Sequence, residues 1–140
     1  MEMMEKLRDT ISKILEKMFF MIEEIAPEKY DKNFIFGTYV NCDFFEIELC
    51  FTSKLAKEIT SNFLGIPSEP DEEDILDCLK EITNMISGNL IGRLYPDNNK
   101  RIPIPDSYLC ENMRRITDGE NKIVFYSRQP LNIRFKEKHE

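Results

Sequence analysis

The sequence predicts an α+β fold in which an antiparallel sheet carries long helices packed on one face. Two long segments, 2–25 and about 70–92, repeat apolar residues at helical spacing. Two short runs between 34 and 51 read as a hairpin, and the last 45 residues hold only short strand-like runs between turns. Strands grouped apart from the helices and joined by short connections pair antiparallel, because a parallel pair needs a long crossover.

Residues 2–25 read as one helix, with Leu7, Ile11, Ile14, Met18, Met21 and Ile25 on a repeating face and Pro27 ending it. Phe34–Asn41 and Phe44–Phe51 follow as strands joined at Asn41-Cys42-Asp43. In the second strand Phe45, Ile47, Leu49 and Phe51 alternate with Glu46 and Glu48, which predicts one buried and one wet face. Thr52-Ser53 offers a cap for a short amphipathic helix carrying Leu55, Ala56, Ile59 and Phe63 and closed by Gly65. Ile66–Pro70 reads as a linker. Pro70 and the acids at 71–74 suit the first turn of the next helix, where the helix dipole favours negative charge. That helix is expected to run to about Gly92 and to break before Pro96. Beyond it, Pro96–Asn99 reads as a turn and Ile102–Pro105 as extended chain. Tyr108–Ile116 reads as a strand, Asp118-Gly119 as a turn, and Ile123–Tyr126 and Leu131–Phe135 as two further strands.

Composition narrows the function. At 140 residues and 41% hydrophobic, the chain is expected to form a single domain over 1–140 with a core of its own. A net charge of −7 argues against nucleic acid or an anionic membrane as the main partner. The apolar run Met18–Ile22 stops at Glu23-Glu24, far short of a membrane span, and the acidic start Met1-Glu-Met-Met-Glu5 is unlike a signal peptide. Cys42, Cys50, Cys78 and Cys110 show no CxxC spacing and no nearby histidine. They are expected to be reduced, in core or half-buried positions of a cytoplasmic protein, with no structural zinc. His139, the one histidine, lies beside the C-terminus and is set aside as a base or ligand; Asn98–Arg101 reads as a solvated polar loop.

One place proposes chemistry. At about 100° per residue, Asp77, Glu81, Asn84 and Gly88 fall in a stripe about 60° wide on the second long helix. Ile75, Leu79, Ile82, Ile86 and Leu90 centre on the opposite side, so the stripe is expected to face outward. Asparagine is a poor helix former, and glycine costs about 1 kcal/mol relative to alanine inside a helix. Both nevertheless sit mid-helix on this stripe, which suggests close approach by another surface, and the stripe holds no lysine or arginine. A carboxylate and a carboxamide one turn apart on a rigid helix can grip a partner and place a water. Sixty-five residues earlier, Asp9, Ser12, Glu16 and Phe19 echo the spacing of Asp74, Asp77, Glu81 and Asn84, with phenylalanine in place of the amide. Phe19 and Phe20 lie off their helix's main apolar face, which leaves two readings: burial under a second layer, or a dimer or docking surface.

The segment Glu81-Ile-Thr-Asn84-Met-Ile-Ser-Gly88-Asn89, with Asp77 four residues ahead and Pro105 after a gap of 20 residues, resembles the CheC/CheX/FliY phosphatases of bacterial chemotaxis. Leu15–Phe20 is also similar to the opening of CheX-type domains. The resemblance implies a CheX-like fold and dephosphorylation of the aspartyl phosphate of a CheY-like response regulator. It implies that Asn84 orients the attacking water and that Glu81 docks to the regulator's lysine. Asp77, Gly88 and Pro105 would support the site. No cofactor is implied on this chain, since Mg2+ is expected on the partner receiver domain. A homodimer through the sheet edge is a further expectation, and the loss of the amide at Phe19 implies one site per chain. The alternative on the same fold is a non-catalytic interaction module that binds a receiver or sensor protein.

Overall fold

The structure is a computed structural model, described here for residues 2–65, 69–97, 103–110, 116 and 121–138. In chain order the elements are α1 (Glu2–Phe19), β1 (Phe34–Asn41), β2 (Phe45–Thr52), α2 (Ser53–Leu64), α3 (Glu72–Leu94), β3 (Asp106–Leu109), β4 (Asn121–Ser127) and β5 (Gln129–Glu137). The strands form one antiparallel sheet in the order β3-β1-β2-β5-β4. This is the predicted α+β class. Residues 66–68 of the linker, Asn98–Ile102, residues 111–115, Asp118-Gly119 and His139 lie outside the described residues.

Strand register places Phe36 opposite Phe51, and Leu49, Ile47 and Phe51 opposite Ile133, Phe135 and Leu131. Successive side chains alternate faces, so these residues line one side of the sheet, where all three helices pack as one layer. Local chemistry sets the helix ends as the sequence indicated. Thr52 Oγ1 accepts from Leu55 N at 3.2 Å and starts α2, and Gly65, at φ 64°, closes it. Asp71 Oδ1 accepts from Asp74 N at 2.8 Å and starts α3.

Three expectations are corrected. The first helix stops at Phe19, not at residue 25. Phe20 adopts φ 55°, its N–H bonding to Glu16 O and that of Met21 to Leu15 O, both at 3.1 Å, which satisfies the last carbonyls. Met21 then turns into the core, whereas Ile25, predicted on the helix's buried face, is 96% exposed. Glu24 N donates to Tyr126 O at 2.8 Å, so this segment follows the outer edge of β4. Apolar spacing alone carried the helix too far because the break is made by backbone geometry and not by a proline.

The second correction concerns Glu48. It is fully buried. β2 is central in the sheet, and its second face is covered as well as its first. The Tyr108 hydroxyl and Ile116 N (3.4 Å) donate to its carboxylate, and Arg134 donates to the Ile116 carbonyl at 2.8 Å. Burial first, then the Glu48 hydrogen bond, pushes the Tyr108 phenol well above its usual range. A buried carboxylate is tolerable when donors replace its water.

Third, the strand expected over Tyr108–Ile116 begins at Asp106 and ends at Leu109. Its ladder runs from Tyr39↔Asp106 to Phe36↔Leu109 and stops where β1 bulges between Phe34 and Phe36. Gly37 lies in this ladder opposite Tyr108; a Cβ there would come within 2.5 Å of Cys110 Sγ and 2.7 Å of the Tyr108 ring. Cys50 Sγ sits 4.0 Å from Cys110 Sγ, and none of the four cysteines is joined in a disulfide.

Two substitutions test these features by urea denaturation. Gly37→Ala is expected to destabilise the fold by about 1–3 kcal/mol through overpacking. Phe20→Gly is expected to stabilise it by about 0.5–1 kcal/mol, because Phe20 is 88% exposed and a left-handed residue with a Cβ costs about 1–2 kcal/mol.

Candidate active site

Helix α3 carries the candidate site, and its rotation decides what the site presents. Ile75, Leu79, Ile82, Ile86 and Leu90 are buried against the sheet and the neighbouring helices, and Asp77, Glu81, Asn84 and Gly88 are exposed. A polar contact sets the same rotation. The buried Thr83 hydroxyl donates to Leu79 O at 2.7 Å and accepts from Thr38 on β1 at 2.6 Å. Thr83 immediately precedes Asn84, so its bond to the sheet turns the neighbouring amide toward solvent.

The exposed stripe opens into a groove of about 480 Å³ lined by Asp77, Lys80, Glu81, Asn84, Ile104 and Pro105. The chain leading into β3 forms the facing wall. Pro105 is buried and anchors that wall, whereas Ile104 projects from it at 84% exposure. Four of the five residues singled out from the sequence therefore meet in one groove. Gly88 does not line it; it lies one turn further along α3, exposed, beside Asn89, whose amide folds back on Met85 O at 2.8 Å.

Two lining residues escaped the sequence reading. Lys80 falls just outside the stripe on the helical wheel, yet it is half-buried and lines the groove. The groove is therefore not devoid of cations, as the stripe alone suggested. Ile104 carried no signal, since nothing in the sequence tells which side of an extended Pro-Ile-Pro segment meets solvent.

Behind the stripe lies Cys78, 3% exposed. Burial, reinforced by the charge of Glu81 and opposed by a Thr60 hydrogen bond, pushes its thiol up to about 11. Among the described residues no three His, Cys, Asp or Glu side chains converge in a metal-binding arrangement.

The echoing helix looks different. Asp9 pairs with Arg93 of α3 at 2.8 Å and with Lys13 at 3.2 Å, and these bonds, Arg93 first, hold its carboxyl below the usual carboxylate range. Phe19, at the amide's position, is 3% exposed and its ring lies 6.2 Å from that of Phe63. Of the two readings for the aromatic pair, Phe19 follows burial and Phe20 follows exposure. With its amide position filled by a core phenylalanine, α1 presents no second Glu/Asn pair.

A five-stranded antiparallel sheet with three helices on one face is the architecture of known chemotaxis proteins. The chain resembles the CheX protein of Vibrio vulnificus (TM-score 0.74, 18% identity, covering 99% of this chain and 97% of that one). It also resembles the CheX protein of Desulfovibrio desulfuricans (TM-score 0.72, 18% identity, 99% and 100%). CheX in the CheX–CheY–BeF3–Mg2+ complex from Borrelia burgdorferi is similar as well (TM-score 0.72, 18% identity, 97% of each chain). At these identities the likeness shows the fold. Among curated proteins no sequence matches the chain. The family description "Chemotaxis phosphatase CheX" matches residues 46–127, more than half of the sequence. The chain belongs to the CheX family.

Cys78 gives this face of α3 a pH signature. Its raised pKa means that below about pH 9 the thiol is protonated in both states and its contribution to stability is complete. As pH rises toward about 11 the unfolded chain ionises first, so stability falls. The fall is expected to be on the order of 1 kcal/mol after solvent screening. Urea titrations of wild type and Cys78→Ala between pH 8 and 11 check it: the variant is expected to show the shallower decline.

Proposed function

We propose that this chain dephosphorylates the aspartyl phosphate of a CheY-like response regulator, with Asn84 orienting the attacking water and Glu81 docking to the regulator's lysine. The observation that carries the reading is the exposure of Glu81 and Asn84, one turn apart, in a groove on a rigid helix. Family membership supports phosphatase chemistry, and a protein of the same fold forms a complex with CheY.

The chemistry suits so small a constellation. An acyl phosphate is already activated, and the receiver brings its own Mg2+ and lysine. Phosphoryl transfer depends on position and charge stabilisation more than on covalent help. A carboxamide can accept one hydrogen of a water and donate to its oxygen, holding it in line without being a strong base. Asn84 is fit for this because the apolar face of α3 and the Thr83–Thr38 bond prevent the helix from turning. Glu81, on the solvent face, offers its carboxylate to a cation of the partner. Asp77, a turn before Glu81, adds negative charge to that docking position. Pro105 holds the opposite wall, and Gly88 leaves the next turn of α3 low for an approaching surface. Pairing of two copies through a sheet edge is compatible with this assignment. It falls to β3 more readily than to β4, whose edge already receives Glu24 N.

The decisive measurement is the lifetime of a cognate phosphorylated receiver with and without the chain. Wild type is expected to shorten it in proportion to concentration. Asn84→Ala is expected to lower the stimulated rate by about 10²-fold or more with the fold intact. Glu81→Ala is expected to lower it by about tenfold or more, through weaker docking and poorer positioning together. A lifetime unchanged by wild type would sink the proposal. Receiver binding that survives both substitutions without any turnover would establish the interaction-module alternative instead.

A further inference from the structure

The groove contains a second charge of opposite sign to Glu81, placed on the other side of Asn84. At about 100° per residue, Lys80 lies about 40° to one side of Asn84 and Glu81 about 60° to the other. Both side chains line the groove. Lys80 is half-buried, and neither Asp77 nor Glu81 forms an ion pair with it among the described residues. Its side chain lines the groove without an ion pair among the described residues, although two carboxylates stand within one helical turn. In a chain with 26 acidic and 19 basic residues, this is a cation where the local sequence is otherwise acidic.

A dipole across a docking face does what a single charge cannot. One ion pair holds two surfaces together but lets them rotate about it; two pairs of opposite sense fix the rotation and disfavour the reversed arrangement. We propose that Lys80 is a positioning residue that pairs with a carboxylate of the receiver's acidic phosphorylation pocket, while Glu81 takes the receiver's cation. The two together then set the angle at which the phosphorus meets the water on Asn84. This rests on the phosphatase reading above and adds to it the chemistry of the partner surface: a basic group and an acidic group on opposite sides of the acyl phosphate. The acids of the stripe, Asp77 and Glu81, would by themselves repel such an acidic pocket. Lys80 offsets that repulsion at the point of contact and speeds encounter through its field.

The test measures KM and kcat for phospho-receiver turnover at several ionic strengths, together with affinity for the same receiver loaded with beryllofluoride and Mg2+. Lys80→Ala is expected to raise KM about three- to tenfold, the effect of losing one ion pair at an interface, and to lower turnover at saturation by about threefold or more, because the reacting angle is then less well set. Lys80→Glu is expected to raise KM further and to flatten or reverse the dependence on salt, whereas Lys80→Arg restores most of the loss. Lys122→Ala, an equal change of charge at an exposed position of β4, is expected to leave both constants as they were. If Lys80→Glu keeps the wild-type KM and salt dependence while the wild-type chain is active, the positioning role is overturned and the phosphatase reading stands. If the wild-type chain neither binds nor turns over any receiver, both fall together.

Discussion

The setting of α3 against the sheet is the constraint on which the rest of this molecule depends. A helix with one apolar face can still roll by a few tens of degrees over a smooth sheet. Here the hydroxyl pair Thr83–Thr38, fully buried and 2.6 Å apart, restrains that freedom, because moving it would leave the buried Thr38 hydroxyl without its partner and without water. From this setting follow the exposure of Glu81 and Asn84, the burial of Cys78 behind them and the approach of Lys80 to the groove. The Arg93–Asp9 pair then ties α3 to α1 near its other end. The water-positioning role proposed for Asn84 demands such rigidity, since a small error of placement costs a large factor in rate.

The sheet performs a second task. Its helix-side face is apolar in the ordinary way, but its other face carries Glu48, Asn132 and Arg134 among Tyr108 and the two thiols Cys50 and Cys110. The bonds from Tyr108 and Ile116 N to Glu48, and from Arg134 to the Ile116 carbonyl, tie β2, β3 and β5 together through Ile116, and such directed bonds specify geometry more sharply than apolar contact does. Gly37 keeps the space into which Tyr108 and Cys110 fit. Because β3 begins directly after Pro105, this network also steadies the wall of the groove that faces α3. The site is therefore held from two directions, by the core beneath α3 and by the polar layer behind β3.

Much of the fold was legible in the sequence because it is written locally. The cap at Thr52, the left-handed Gly65, the acids at the start of α3 and the alternation along β2 each state their own structure within a few residues. The errors arose where a distant partner decides. Glu48 reads as a wet residue by alternation, and only the covering of a central strand buries it. The run Met18–Ile25 reads as helix by spacing, yet past Phe19 the chain instead follows β4, where Glu24 N bonds to Tyr126 O. The strand assigned to Tyr108–Ile116 was misplaced because an edge strand extends as far as its neighbour offers a ladder, and β1 stops offering one at its bulge.

By itself the sequence determined which residues share a face of α3, since the helical period converts spacing into direction. It thereby determined that a carboxylate and a carboxamide stand together opposite the core, and that the echo on α1 lacks the amide. It could not place Pro105 and Ile104 across from them, because that juxtaposition depends on β3 pairing with β1 and on α3 packing above both. Nor could it show that Lys80 reaches the same groove, since the length of a side chain matters only once there is an opposite wall to reach toward. The stripe is a property of one helix, and the groove is a property of the chain folded back upon it.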